Sequence, residues 1–195
     1  MLFNCCANKV KPISPRPGLL YTAEGEHLEL QNEPNIFRKM FGDNAYNENN
    51  EYCGDIEKKL YKILLDEQNK PETDSYGIVK IHKLTDSNVD IDLLETDIDD
   101  YSERDVILEM LKVKDYLQSI GIMYIDWKYD NIGVSRLDGK LKLFDFDASG
   151  LTRPDKFTWD IQAPVWYAYK EAFNAGMKTP TEIDDYAFSN GFSNY

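Results

Sequence analysis

The chain has 195 residues, 42% of them hydrophobic and 13% aromatic, which fits one or two globular domains with a real core rather than a disordered chain. Its 35 acidic residues outnumber 22 basic ones to give a net charge of −13. That balance argues against a nucleic-acid backbone or an anionic membrane as the main partner and leaves room for a basic peptide. No apolar run approaches the length of a membrane span, and three cysteines, with Cys5 and Cys6 adjacent, do not make a disulfide framework. A reducing, cytoplasmic setting is therefore expected.

In chain order, residues 1–17, with Pro12, Pro15 and Pro17, read as an extended arm. Leu19 to Leu30 alternates weakly about Ala23-Glu24-Gly25-Glu26 and predicts a hairpin. A strand follows over Ile36 to Phe41. Alternation puts Phe37, Lys39 and Phe41 on one face and Ile36, Arg38 and Met40 on the other. A lysine between two phenylalanines is unusual on a packed face, and Arg38 is its rival for a ligand role. From Glu51 to Gln68, Ile56, Leu60, Ile63 and Leu64 recur at helical spacing until Asn69-Lys70-Pro71 stops the helix. Strands are predicted over Tyr76 to Leu84 and Val89 to Glu95, and Asp97-Ile98-Asp99-Asp100 reads as an exposed link between a sheet half and a helical half. Ser102 caps a helix whose stripe is Val106, Met110, Val113 and Leu117, with Ile107 and Leu111 beside them, and Gly121 ends it.

The most informative stretch comes next: Asp126, Lys128 and Asn131, then a hairpin of Ile132-Gly133-Val134 with Lys140 to Phe144 across Asp138-Gly139, then Asp145-Phe146-Asp147. These residue types are those phosphoryl transfer needs. One carboxylate accepts the proton of the attacking hydroxyl, and a cation screens the phosphoryl group. A carboxamide and a second carboxylate hold magnesium. The hairpin would bring Asn131 and Asp145 to neighbouring ends. Beyond it, a helix is predicted over Ile161 to Phe173, with Asp160 as cap and Gly176 as stop, and a shorter one from Thr179 with Pro180 in its first turn.

Asp126-x-Lys128-x-x-Asn131 followed by Asp145-Phe146 resembles the catalytic loop and metal motif of the protein-kinase-like superfamily. The resemblance implies an α+β, two-lobed fold: an antiparallel N-lobe sheet with one regulatory helix over residues 18–96, and a reduced, mostly helical C-lobe over 97–195, as in some viral kinases and bacterial effector kinases. It implies serine/threonine phosphotransfer to a protein substrate from ATP, with Mg2+ or alternatively Mn2+. The setting would be the cytoplasm, or the host's if the chain is viral or an effector.

By the same resemblance, Asp126 is the base, Lys128 meets the γ-phosphate, and Asn131 and Asp145 hold the metal. Lys39 contacts the α- and β-phosphates, and Glu57 on the regulatory helix pairs with it, with Glu51 and Asp55 as rivals. Gly25 lies where the glycine-rich loop would cover the phosphates, and backbone groups near Glu95, Thr96 and Asp97 would meet the adenine edge. Asp184-Asp185-Tyr186-Ala187-Phe188 resembles the family's D-x-W-S-F segment, with Asp160 as rival for its aspartate. The chain departs from the pattern in having no G-x-G-x-x-G, Tyr124-Ile125 for His-Arg, and Asp147 for glycine. Asp-Phe-Asp also resembles aminoglycoside- and choline-kinase-like enzymes, so small-molecule phosphotransfer is the alternative, and a nucleotide-binding pseudokinase is the third reading.

Overall fold

The alternating segment at the start of the structure forms its hairpin: β1 (Gly18–Tyr21) and β2 (His27–Leu30) pair antiparallel, Gly18 opposite Leu30 and Tyr21 opposite His27. The computed structural model describes residues 17–21, 27–30, 32–41, 53–70 and 77–192. Residues 1–16 of the expected arm, Gly25 and Glu51 lie outside them.

Strand β3 (Ile36–Met40) lies parallel to β1, with Tyr21 beside Lys39, and antiparallel to β5 (Asn88–Asp92), which also pairs with β4 (Ile81–Leu84). The five strands run in the order β2-β1-β3-β5-β4, so the sheet is mixed rather than wholly antiparallel as expected, because the neighbours β1 and β3 run the same way. Helix α1 (Cys53–Gln68) packs on this sheet through Ile56, Leu60, Tyr61 and Leu64, all buried. Each such side chain contributes about 1.5–3 kcal/mol on leaving water. The helical spacing anticipates three of the four. Ile63 is only partly buried, and Tyr61 takes the place beside the sheet.

Ser102 caps α2 (Glu103–Ser119), its hydroxyl accepting from the Asp105 N–H, and Gly121, at φ +86°, turns the chain out of it. Val106, Met110, Val113 and Leu117 are buried as the stripe predicts, whereas Leu111 is 39% exposed. The buried arc is thus narrower than the sequence suggests. Strand β6 (Ile122–Met123) leads into the loop of Asp126. A 3-10 turn (Tyr129–Asn131) enters the hairpin of β7 (Ile132–Val134) and β8 (Leu141–Leu143), Ile132 opposite Leu143.

One expected helix is corrected. Trp159–Ile161 is a strand, β10, paired antiparallel with β9 (Gly150–Thr152), and the helix, α3 (Tyr167–Asn174), starts only beyond Pro164. Proline has no N–H to give a helix and disfavours helical geometry in the residue before it, so the apolar spacing from Ile161 cannot be realised as one helix. Helix α4 (Pro180–Gly191) opens with a full capping box between Thr179 and Glu182. The protein is thus mixed α+β, with four α-helices among the described residues and one hydrophobic cluster running from Phe41 and α1 to Phe188 and Phe192 of the C-terminal end. None of the described helices is long and apolar enough to cross a membrane.

Candidate active site

Strand alternation decides which cation of β3 faces the cleft. Arg38 turns to one face, where Asp90 takes its Nε at 2.6 Å and Glu33 its Nη2 at 2.8 Å. Lys39 turns to the other. Its Nζ lies 2.8 Å from Glu57 Oε1, 2.5 Å from Asp145 Oδ1 and 3.6 Å from Asp147 Oδ2. One ammonium therefore meets three carboxylates contributed by α1 and by the segment after β8. Burial works against its charge, but the three carboxylates together hold Lys39 protonated well above the ordinary lysine value. Burial pushes Glu57 up to about 7 although Lys39 pulls it down. Asp147 is likewise raised, first by burial. Of the rivals for Glu57, Asp55 is exposed in the first turn of α1.

Across the cleft the loop after β6 is sharply folded. Ile125 has φ +69°, a conformation that costs a β-branched residue about 1–3 kcal/mol. The cost is met by the surroundings. Asp184 of α4, with no exposed surface, accepts from Ile125 N at 2.9 Å and from Trp127 Nε1 at 2.7 Å through one oxygen, and from Gln118 Nε2 at 2.9 Å through the other. Gly191, at the far end of α4, lies against the Trp127 peptide so closely that a Cβ would stand 1.8 Å from its carbonyl oxygen. Asp160 is exposed on β10. Geometry thus selects Asp184 over Asp160 as the anchor of this loop.

Between the two anchored residues sits Asp126. Its Oδ2 takes Lys128 Nζ at 2.5 Å and Asn131 Nδ2 at 2.9 Å, and Asn131 Nδ2 also reaches the Asp126 carbonyl at 3.0 Å. Burial opposes the charge on Lys128, but its bond to Asp126 raises it above the ordinary value. The Phe144 N–H donates to the Asn131 carbonyl at 3.1 Å, so the β7–β8 ladder sets Asn131 beside the start of Asp145-Phe146-Asp147. Asp145 itself has φ +63°. Below them an aromatic column joins the parts edge to face: Tyr61 to Phe146 at 5.6 Å and Phe146 to Tyr124 at 5.2 Å, with Trp127 to Phe188 at 5.0 Å. The Tyr124 hydroxyl donates to the Phe144 carbonyl at 2.5 Å, tying the Asp126 loop to the Asp145 segment.

A cavity of about 520 Å³ opens beside this cluster, lined by Leu19, Phe37, Ile91, Leu93, Leu94 and Phe144 among others. A smaller one of about 210 Å³ shares Phe37, Ile91 and Phe144 with it and ends at Lys39, Tyr61, Asp145 and Asp147. The cleft is therefore apolar at one end and charged at the other.

Of the crossover residues, Glu95 and Thr96 line the larger cavity and Asp97 does not. Glu95 N–H donates to the Val134 carbonyl at 2.9 Å and its carbonyl accepts from Val134 N–H at 2.7 Å, so its backbone is bound to β7 rather than turned to the cavity. Gly133 allows this approach, since a Cβ there would stand 2.6 Å from Leu94 Cβ. The Glu95 side chain is ion-paired with Arg136. Asp97 is exposed, its carboxylate accepting from Asp99 N–H at 3.2 Å, and is not among the described lining residues. Residues Asp92 to Thr96 line the cavity, while the N–H and carbonyl of Glu95 are taken up by β7.

Among the described residues, no group of three or more histidine, cysteine, aspartate or glutamate side chains is arranged to enclose a metal. Asn131 and Asp145 offer hard oxygen donors of the kind Mg2+ takes while keeping water or a bound phosphate for its other positions. The one lysine among three carboxylates leaves a local negative excess that a divalent ion would neutralise. Tyr61 escaped sequence reasoning; its signal was its position four residues after Glu57, on the same helix face. No protein-family model matches this sequence.

Proposed function

We propose that the protein transfers the γ-phosphoryl group of ATP to a serine or threonine hydroxyl of a protein substrate, as an atypical minimal kinase. The observation that carries this reading is Lys39, bound at once to Glu57 and Asp145 and facing an Asp126-Lys128-Asn131 cluster held by Asp184. The apolar cavity by Leu93 and Leu94 suits a purine, and the charged end suits its phosphates. Asp145 and Asn131 would hold Mg2+, or Mn2+, as side-chain ligands, and the ion would supply positive charge against the phosphates. Lys39 orients the phosphates and Glu57 orients Lys39.

Asp126 engages Lys128 and Asn131 through Oδ2, so Oδ1 is the oxygen that meets the acceptor hydroxyl. As the acceptor oxygen bonds to phosphorus and the bond to the ADP oxygen breaks, the hydroxyl proton passes to Asp126. Lys128 moves from Asp126 to the phosphoryl oxygens as their charge develops, a task suited to a compact ammonium. Asp147 supports the small-molecule alternative, because Asp-Phe-Asp resembles the aminoglycoside- and choline-kinase-like motif. Lys128 weighs against it, since those enzymes usually carry a different residue at that position.

Purified protein with labelled ATP, Mg2+ and a generic protein substrate, beside Asp126→Ala, tests the reading. Label on phosphoserine or phosphothreonine, abolished in the variant while ATP binding survives, is expected. Label on phosphotyrosine alone or on a small metabolite defeats the choice of acceptor. ATP binding without any transfer makes the protein a pseudokinase.

A further inference from the structure

The resemblance to protein kinases assigns no role to Asp147, which stands where a glycine would, nor to the hydroxyl of Tyr61. Both line the same small cavity as Asp145 and Lys39. Asp145 and Asp147 each place one carboxylate oxygen near the single ammonium of Lys39, at 2.5 and 3.6 Å, so the two carboxylates converge on one point from neighbouring positions in the chain. Each has a second oxygen left for another cation. Tyr61 adds an independent sign of a ligand. It has no exposed surface, and among the described residues its hydroxyl has no hydrogen-bond partner. A buried hydroxyl left unpaired costs about 1–3 kcal/mol. Such a group, lining the small cavity with Lys39, Asp145 and Asp147, is ordinarily satisfied by a bound water.

We propose that Asp147 is a further carboxylate ligand of the divalent ion in this cleft, acting with Asp145, and that the Tyr61 hydroxyl holds a water of that ion's hydration shell. The chemistry is that of Mg2+ or Mn2+: a hard ion that accepts carboxylate oxygens and retains water, the water in turn needing a partner on the protein side. Two adjacent carboxylates give the cleft an affinity for the ion before nucleotide arrives, which a single metal aspartate and a carboxamide do not. The inference rests on the phosphotransfer reading for its location, but not for its test.

Mn2+ is the probe, titrated into the full chain and followed by its electron paramagnetic resonance signal, first alone and then with a non-hydrolysable ATP analogue. Wild type is expected to bind Mn2+ in both conditions. Asp147→Asn should weaken nucleotide-free binding by more than about tenfold, and Tyr61→Phe by about tenfold with no loss of melting temperature. Asp147→Glu should recover part of the affinity. Asp147→Asn with wild-type Mn2+ affinity, beside an Asp145→Asn variant that has lost it, would overturn the role of Asp147 and leave the phosphotransfer reading standing. Conversely, Mn2+ bound through Asp147 with no response to the nucleotide analogue would support the metal site and count against phosphotransfer.

Discussion

Replacing Asp184 with alanine tests how the Asp126 loop is held. The substitution leaves Ile125 N–H and Trp127 Nε1 buried without the acceptor they share at 2.9 and 2.7 Å. Each orphaned donor costs about 1–3 kcal/mol, or about 2–6 kcal/mol for the pair. Two terms offset part of this. A fully buried carboxylate is removed, and Ile125 becomes free to leave its left-handed backbone conformation, worth about 1–3 kcal/mol. A net loss of about 2 kcal/mol remains, which for a chain of this size lowers the melting temperature by about 4–8 °C. Calorimetry or circular dichroism reads the shift. Turnover should fall with it, because Asp126 lies between the two residues Asp184 holds, whereas nucleotide binding at Lys39 and Asp145 should persist. Asp160→Ala, at an exposed position of β10, should melt within about 0.5 kcal/mol of wild type. If Asp184→Ala melts within about 2 °C of wild type, or Asp160→Ala matches its loss, the anchoring role is wrong.

Lys39→Met should lower turnover by at least about a hundredfold, in line with loss of a positioned charge on the phosphates. Arg38→Met should instead leave turnover within a few-fold and cost about 1–3 kcal/mol in chemical denaturation, since Asp90 loses its cationic partner and keeps only the Asn88 amide among the described residues; the reverse pattern would mean β3 is one residue out of register. ATP should raise the melting temperature more with Mg2+ than without, and Asp145→Asn should erase the difference; equal shifts in wild type would remove Asp145 and Asn131 as metal ligands. Burial raises Glu57 to about 7 from an ordinary 4.5. The folded chain therefore holds more protons than the unfolded one between those values, and stability should fall as pH rises through that window. Glu57→Gln should flatten this part of the stability–pH curve, and an unchanged slope would show that Glu57 is ionised throughout.

Much of this was legible because it is local. Three or four apolar positions per helix marked α1 and α2, Asp138-Gly139 marked the turn between β7 and β8, and Thr179-Pro180 with Glu182 marked the start of α4. Asp126, Lys128 and Asn131 lie within six residues, so the turn that joins them also brings their side chains together. Where local signals competed, the weaker reading came from apolar spacing. Ile161, Val165 and Tyr169 suggested a helix that Pro164 forbids.

By itself, then, the sequence determined the elements and the chemistry carried by each short stretch, because a few bonds of chain leave neighbouring side chains little choice. Only the tertiary structure decided the pairings. Lys39 reaches Glu57 from 18 residues away and Asp145 from 106, Asp184 reaches Ile125 from 59, and the crossover at Glu95 lies down on β7 because Gly133 has no side chain to hold it off. In a chain with 35 acidic residues, nothing local tells which three will face one buried lysine. That choice belongs to sheet register and helix docking, where burying apolar faces outweighs any single charge pair and carries the carboxylates to wherever the packing puts them.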